Sequence, residues 1–308
     1  MLKISTNLSR YALNGPTMGT RWSALFFTAS GFDSGLIQKA LQYAVDEVDA
    51  QMSSWKPDSD LMRLNRTAVG QSVEIPERLA HVLRLGLKIG QASGGAFDVG
   101  MGDAVRAWGF GPENADSQRI QTALNRPRRP AHELIQMDEN RVYKTDVITI
   151  DLNGIAKGYG VDRLAETLFE HGIHSGLVGI DGEMRALGLR PDGESWTVAI
   201  EAPDPDCRKP HSILTLHNAA VATSGDYRHW VTVQGHRLSH TMDPQRGAPL
   251  KSSPASVTVV APSCAEADGW ATALMVLGST VGSTLISQQG LNALFIMRDD
   301  DKSKHVAH

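Results

Sequence analysis

Three parts of the sequence place glycines and polar side chains directly after a predicted strand. The first, residues 148–162, carries Asp151, Gly154 and Lys157 where a predicted strand passes into a predicted helix. Backbone N–H groups at the start of a helix attract anions, and a lysine ammonium adds a positive charge. Because Gly154 has no side chain, a ligand or an ion can approach its backbone closely. The pattern fits a phosphate-binding turn, and it also fits an ordinary strand-to-helix turn with a solvated lysine.

The second part is a predicted helix, residues 265–278, that carries Asp268 and Thr272. Residues four apart lie on the same face of a helix, one turn from each other. A carboxylate and a hydroxyl placed in this way are hard oxygen ligands suited to Mg²⁺, which leaves other positions for phosphate oxygens and water. The alternative is structural, because Asp268 could interact with the helix dipole and Thr272 could bond back to a backbone carbonyl.

The third part comprises residues 222–228 and 239–247, and the second of these segments reads as a strand that ends in a turn with Pro244 and Gly247. His240, just before the turn, could transfer a proton at neutral pH. The chain has eleven histidines, so any one of them is more often a surface or packing residue than a functional one.

The composition excludes several classes of protein. The 308 residues carry 30 basic and 34 acidic side chains without a clustered basic excess, so no nucleic-acid partner is expected. A hydrophobic content of 41% supports a sizeable core and excludes disorder as the main state. The two cysteines form neither a disulfide framework nor a zinc-binding spacing. No membrane span is expected in this chain, because no run approaches about 20 apolar residues.

Hydrophobic periodicity and turn residues predict an α+β fold with mixed or antiparallel sheets and packed helices. Ser34 is the predicted cap of the first helix, and a short helix is expected at residues 117–124. Several strands are separated by turns instead of helices, which argues against a uniform parallel βαβ array. The main predicted helices span residues 36–52, 77–92, 158–171 and 265–278, and the strands span residues 147–152, 177–180, 196–201, 213–217, 231–233, 256–261 and 293–297.

Five short blocks form an ordered set between about residues 16 and 278. They are residues 18–20; residues 52–55 with Asp58, Asp60, Leu64 and Asn65; residues 94–98 with residues 108–111; residues 151–162; and residues 222–226 with residues 240–247, Ala267, Asp268 and Thr272. One block alone would not be specific. In number, order and spacing they resemble the ApbE-like flavin transferases, a family once described as thiamine-biosynthesis lipoproteins and now as FAD:protein FMN transferases.

The resemblance implies one flavin-transferase domain over residues 1–308, of an α+β, T-fold-like type, with a sub-domain excursion near residues 111–130. It implies that FAD binds in a cleft as the substrate, with Mg²⁺ at its pyrophosphate. The Gly154 carbonyl, Asp268 and Thr272 would hold the metal. By position, the expected FAD contacts are Met18, Trp55, Ala96, Phe97, Asp98, Asp151, Lys157 and Thr241.

The implied reaction moves FMN from FAD to a Thr or Ser hydroxyl of an acceptor flavoprotein through a phosphoester bond, and AMP leaves. Mg²⁺ and Lys157 would stabilise charge on the phosphates. His240 is the first candidate for the catalytic base, and Asp243 is the second. Two alternatives stay open: an FAD pyrophosphatase that gives FMN and AMP, and a non-catalytic FAD-binding protein.

The resemblance also implies a transient partner, with a redox-pump or reductase subunit as the candidate acceptor. The Ser/Thr-Gly-Ala-Thr-like segment of family acceptors does not occur in this sequence, so the acceptor is expected to be another chain. The sequence as it stands predicts a cytoplasmic protein, and a periplasmic or membrane-anchored protein is expected if a leader was removed.

Two positions depart from the family pattern. Asp181 stands where relatives usually carry glycine, and this adds a carboxylate near the expected phosphates. Ala271 stands where some relatives carry a further metal-binding carboxylate, so a thinner metal shell is expected.

Overall fold

The computed structural model describes residues 8–204, 207, 209–226, 230–233, 236–251, 254–298 and 306–307. In chain order its strands are β1 (Leu8–Thr17), β2 (Thr20–Ala29), β3 (Ser72–Glu74), β4 (Ile135–Asp138), β5 (Arg141–Lys144), β6 (Gly176–Ile180), β7 (Glu183–Leu187), β8 (Trp196–Glu201), β9 (Pro210–Leu216), β10 (Ala220–Gly225), β11 (Trp230–Val233), β12 (His236–Ser239), β13 (Met242–Asp243), β14 (Ala248–Pro249), β15 (Ser256–Ala261), β16 (Asn292–Ile296) and β17 (Val306–Ala307). Its helices are α1 (Ser34–Met52), α2 (Asp60–Arg66), α3 (Glu77–Ala92), α4 (Gly102–Ala107), α5 (Ser117–Asn125), α6 (Ala131–Leu134), α7 (Ala156–Glu170) and α8 (Cys264–Gln289).

The main sheet has eight strands in the order β1-β2-β6-β7-β10-β15-β16-β17, and adjacent strands pair antiparallel. A three-stranded sheet, β3-β5-β4, and three two-stranded ribbons, β8-β9, β11-β12 and β13-β14, complete the described strands. The predicted α+β class with antiparallel sheets is confirmed.

Side chains alternate across the main sheet, so its two faces bury different partners. On one face Trp22, Ala24 and Phe26 of β2 pack with apolar residues of α1 and α7. On the other face Ala186 and Val221 pack with residues of the β8-β9 ribbon. The largest hydrophobic cluster joins α8 to β10, β15, α3 and the three-stranded sheet. It includes residues of the predicted functional segments 148–162 and 265–278.

Most predicted elements are confirmed within one to three residues. Helix α3 and the strands β8 and β15 have the predicted bounds. The predicted Ser34 cap was wrong: α1 begins at Ser34, and the side chain of Asp33 accepts a hydrogen bond from the Gly35 N–H at 2.9 Å. The helix starts two residues earlier than the predicted residue 36, which puts Ser34 inside the first turn.

Residues 147–152 do not form a strand of a sheet, and the strand prediction was wrong there. One isolated parallel bridge joins Thr149 to Met101. The side chain of Asn65 takes the place of a neighbouring strand, because it accepts from the Ile150 N–H at 2.7 Å and donates to the Ile150 carbonyl at 2.8 Å. A β-branched run indicates burial, but it does not reveal which group satisfies the backbone.

Helix α8 consists of two helical segments joined at a kink, because the backbone at Gly278 is non-helical with φ of 69°. Its first segment ends where the sequence predicts, and its second continues to Gln289. By length and composition it is the one helix in the described part of the chain that could cross a membrane, and the sequence reading missed it. That test is also passed by core helices. Residues from Cys264 to Met275 are mostly buried, and they pack on β10 and β15.

Asn65→Ala is expected to lower the free energy of unfolding by about 1–3 kcal/mol, because it removes two hydrogen bonds and leaves the buried Ile150 backbone unpaired. Urea denaturation measures the loss. The matched control is Asn125→Ala at the exposed end of α5, where a change within about 0.5 kcal/mol is expected. Equal effects of the two variants would contradict the assigned role of Asn65.

Candidate active site

The starts of α7 and α8 supply hydrogen-bond acceptors to each other. The Gly158 N–H, in the first turn of α7, donates to Asp268 Oδ2 at 3.0 Å. In return, Asp162 of α7 accepts from the Cys264 N–H at 2.8 Å and from the Ala265 N–H at 2.9 Å, at the start of α8. The first N–H groups of a helix have no partner within it, so each helix caps the other with a carboxylate.

This contact requires a glycine at position 158. A Cβ built on Gly158 would overlap the Cys264 carbonyl oxygen and lie 2.8 Å from Asp268 Cβ. The absent side chain therefore allows the two helix starts to touch, and it sets the position of Asp268.

Gly154 and Thr272 meet in the same region. A Cβ on Gly154 would lie 3.2 Å from Thr272 Oγ1 and 3.2 Å from Phe97 Cε2. Thr272 Oγ1 is also 3.2 Å from the hydroxyl of Ser224 on β10. The structure thus brings the predicted metal ligands Gly154, Asp268 and Thr272 to adjoining positions on two segments that are distant in sequence.

The ammonium of Lys157 faces two carboxylates of the β6–β7 turn. Its Nζ is 3.0 Å from Glu183 Oε1 and 3.4 Å from Asp181 Oδ2. Burial alone would lower the pKa of Lys157, but the negative charges of Glu183, Asp268 and Asp181 outweigh burial and raise that pKa. Lys157 is therefore a fixed positive charge within an acidic cluster, defined here as Asp181, Glu183 and Asp268.

Burial dominates the titration of the two deepest carboxyls of this cluster. It raises the pKa of Asp268 to about 6, against the opposing effects of Lys157 and of the Gly158 N–H. It raises the pKa of Glu183 to about 7, again against Lys157. Glu183 Oε2 is buried, and the described residues offer it no hydrogen bond. The cluster therefore holds more negative than positive charge at pH values above these.

These groups fit a hard divalent cation. The Asp268 carboxylate and the Thr272 hydroxyl are hard oxygen donors, Gly154 lies beside Thr272, and the Asp268 and Glu183 carboxylates are buried. Within the described part of the chain, no three His, Cys, Asp or Glu side chains form a group that could hold a metal on their own. Such a cation would depend on substrate phosphate or water for its remaining ligands, as Mg²⁺ commonly does. Metal binding itself stays a prediction.

The predicted FAD contacts Asp98 and Asp151 accept hydrogen bonds within the protein, Asp151 from its own loop and Asp98 from its own loop and the start of α6. Asp98 Oδ1 accepts from the Gly100 N–H at 2.7 Å and from the Ala131 N–H at 3.1 Å. Asp151 accepts from the backbone and the side-chain N–H groups of Asn153 at 2.9 and 3.1 Å. Burial raises the pKa of both carboxyls.

The remaining predicted FAD contacts differ in exposure. Ala96, Phe97 and Thr241 are buried, whereas Trp55 is 57% exposed. Met18 lies in the β1–β2 turn with φ of 45°, and its Cε would be 3.2 Å from a Cβ on Gly160 of α7. Met18 therefore lies beside the helix that carries Lys157.

His240 and Asp243 lie on the segment between β12 and β14. Asp243 Oδ1 accepts from the backbone N–H groups of Gln245 and Arg246 at 3.0 and 3.3 Å, so its carboxylate shapes the turn. Trp108 Nε1 donates to the Gly247 carbonyl at 2.9 Å and ties the turn to the end of α4. His240 is half-buried. The base role of His240 and of Asp243 stays a prediction.

Sequence reasoning gave no role to Ser224, Glu183 or Asp162. Ser224 was inside a quoted segment, but its contact with Thr272 joins residues 48 apart. Glu183 appeared only as the last residue of the segment around Asp181, which departs from the family pattern. Asp162 was the last residue of a quoted block, but its contact with the Cys264 N–H joins residues 102 apart.

Comparison with known proteins identifies the family. Residues 18–295 match the model described as the ApbE family. An FAD:protein FMN transferase of Vibrio cholerae is 37% identical over 300 residues, covering 96% of this chain and 90% of the relative. One of Klebsiella pneumoniae is 33% identical over 299 residues, covering 95% of this chain and 85% of the relative. The structure of Flavin Transferase ApbE from Vibrio cholerae has a TM-score of 0.86 at 34% identity, covering 97% of each chain.

An α+β chain with these matches is an enzyme of the transferase class. It belongs to the ApbE family.

Asp268→Asn is expected to stabilise the cation-free protein at pH 8 by about 1–3 kcal/mol and to lose this advantage near pH 4. The pKa of the Asp268 carboxyl is about 6 in the folded chain, above its ordinary value of 3.8, so folding favours the protonated form. Its contribution is complete below about pH 4 and is lost as the pH rises through 6, whereas asparagine stays neutral.

The measurement is urea denaturation in EDTA across this pH range, with Asp192→Asn as the control at an exposed site. A stability difference at position 268 that does not change with pH would contradict the assigned cost of ionisation.

Proposed function

We propose that this chain transfers FMN from FAD to a Thr or Ser hydroxyl of an acceptor flavoprotein, in a reaction that depends on a divalent cation such as Mg²⁺. The product is a phosphoester, and AMP is released. The relatives bear the name FAD:protein FMN transferase, which supports the choice of donor and acceptor.

The observation that carries the proposal is the contact between the Gly158 N–H and Asp268, which joins the Gly154–Lys157 turn to α8. It puts an ammonium, backbone N–H groups and buried oxygen ligands around one region, as a diphosphate and its cation require. Gly154, Asp268 and Thr272 would hold the cation, which would neutralise charge on the phosphates when bound. Ser224 would orient the Thr272 hydroxyl.

The proposed chemistry forms one bond and breaks one. The acceptor hydroxyl oxygen bonds to the phosphorus of the FMN half, and the bond from that phosphorus to the bridging oxygen breaks. The bridging oxygen leaves with AMP, and Lys157 stabilises the negative charge that gathers on the phosphates. The hydroxyl proton passes to His240 in this proposal, because imidazole accepts protons near neutral pH.

The test incubates the protein with FAD, Mg²⁺ and an acceptor domain that carries a Ser/Thr-Gly-Ala-Thr-like segment, and then measures the intact mass of the acceptor. An added FMN-phosphoryl mass with equimolar AMP supports the transfer. Free FMN with AMP and an unlabelled acceptor would replace the proposal with a pyrophosphatase. Unchanged FAD would replace it with a binding protein.

Asp268→Ala is expected to reduce transfer by at least about 100-fold, because the variant loses a buried oxygen ligand and the acceptor of the Gly158 N–H. Initial rates of acceptor labelling measure the loss, with Asp192→Ala as the control. Wild-type, Mg²⁺-dependent rates in Asp268→Ala would remove this residue from the metal site.

His240→Ala is expected to lower kcat for transfer by about 100- to 10,000-fold and to leave the FAD affinity nearly unchanged, as the loss of a general base does. Single-turnover labelling separates kcat from binding. His217→Ala, at an exposed histidine at the end of β9, is the matched control. Transfer at the wild-type rate in His240→Ala would exclude this role.

A further inference from the structure

The backbone of the turn between β6 and β7 restricts the residue types that fit position 181 without strain. Ile180 pairs with Glu183, which leaves a two-residue loop of Asp181 and Gly182 with φ of 52° and 109°. Two-residue hairpin loops with positive φ at both positions favour Asn-Gly, Asp-Gly and Gly-Gly. The backbone therefore accepts asparagine or glycine at position 181 as well as it accepts aspartate, and it does not require the negative charge.

The carboxylate of Asp181 is directed at Lys157 instead. Its Oδ2 is 3.4 Å from Lys157 Nζ, while Glu183 Oε1 takes the same ammonium at 3.0 Å from the other side. Glu183 is almost fully buried, whereas about a third of the side chains of Asp181 and Lys157 is exposed. Glu183 is thus the buried partner of the ammonium, and Asp181 is the partner on the solvent side.

A diphosphate that approaches Lys157 from solvent must compete with Asp181. Phosphate oxygens and the Asp181 carboxylate are both anions that seek the same ammonium, and close anions repel each other. An exposed ion pair is worth about 0.2–1 kcal/mol, so such competition changes affinity by a small factor only.

We propose that Asp181 is a positioning residue that sets the affinity for FAD: it occupies Lys157 while the diphosphate is absent and gives it up when the diphosphate binds. This inference rests on the proposed function, because it takes the FAD diphosphate as the group that Lys157 binds. It adds that this chain binds its substrate more weakly than the same fold would with a neutral residue at the turn.

The experiment compares the wild type with Asp181→Asn and Asp181→Gly, which keep the turn and remove the charge. The FAD dissociation constant is measured in Mg²⁺ by the quenching of flavin fluorescence, and KM and kcat are measured by acceptor labelling. Both variants are expected to bind FAD about two- to fivefold more tightly at low salt, as the loss of one exposed ion pair predicts. The tighter binding is expected to appear as a lower KM. The gain is expected to shrink as added NaCl screens the charges.

Two controls isolate the local effect. Asp192→Asn makes the same change in net charge at an exposed site in another turn, and its FAD affinity is expected to equal that of the wild type. Inorganic pyrophosphate, used as a competitor against FAD, is expected to bind the two Asp181 variants more tightly by a similar factor.

Equal or weaker FAD binding by Asp181→Asn, with the fold shown intact by its thermal unfolding midpoint, would overturn this inference and leave the proposed function standing. A gain of the same size in Asp192→Asn would also overturn it, because the effect would then be one of net charge. A wild-type chain that binds no FAD would overturn the proposed function and this inference together.

Discussion

The hydrogen bond between the Gly158 backbone and the Asp268 carboxylate joins two segments 110 residues apart, and the arrangement around Lys157 depends on it. It forms because Gly158 has no Cβ and because the first turn of α7 has no side-chain cap of its own. Asp162 makes the reverse connection to α8. The two helices thus exchange acceptors: Asp268 serves the start of α7, and Asp162 serves the Cys264 and Ala265 N–H groups of α8, beside the α8 cap Ser263.

The burial of acidic side chains at these helix starts has an electrostatic cost. Asp268 and Glu183 are buried beside one lysine, so burial raises the pKa of each carboxyl and the charged forms are destabilised. The proposed cation would relieve this excess negative charge, and its binding would then stabilise the folded chain. In the proposed function the same lysine would attract the diphosphate, so one cluster would contribute to binding both the cation and the phosphates.

The fold class, most helices and most strands followed from periodicity and turn residues, because these patterns report local burial. Residues 147–152 did not follow, since the group that satisfies Ile150 is the distant side chain of Asn65. In the site, too, residue types were predictable from the sequence, whereas contacts between distant elements were not. Lys157, Asp268 and Thr272 stood out by residue type and spacing, and the family resemblance joined them into one site. The contacts that hold them in place, from Ser224, Glu183 and Asp162, could not be predicted because they cross between elements that no local pattern connects.

The long separation of the two capped helices also has a consequence for synthesis on the ribosome. At about 5–20 residues per second, the segment from α7 to Asp268 takes on the order of 5–20 s to emerge. During that interval the carboxylate of Asp162 lacks the α8 backbone N–H groups that donate to it in the finished protein. The two helix starts can therefore exchange their hydrogen bonds only after α8 has been synthesised.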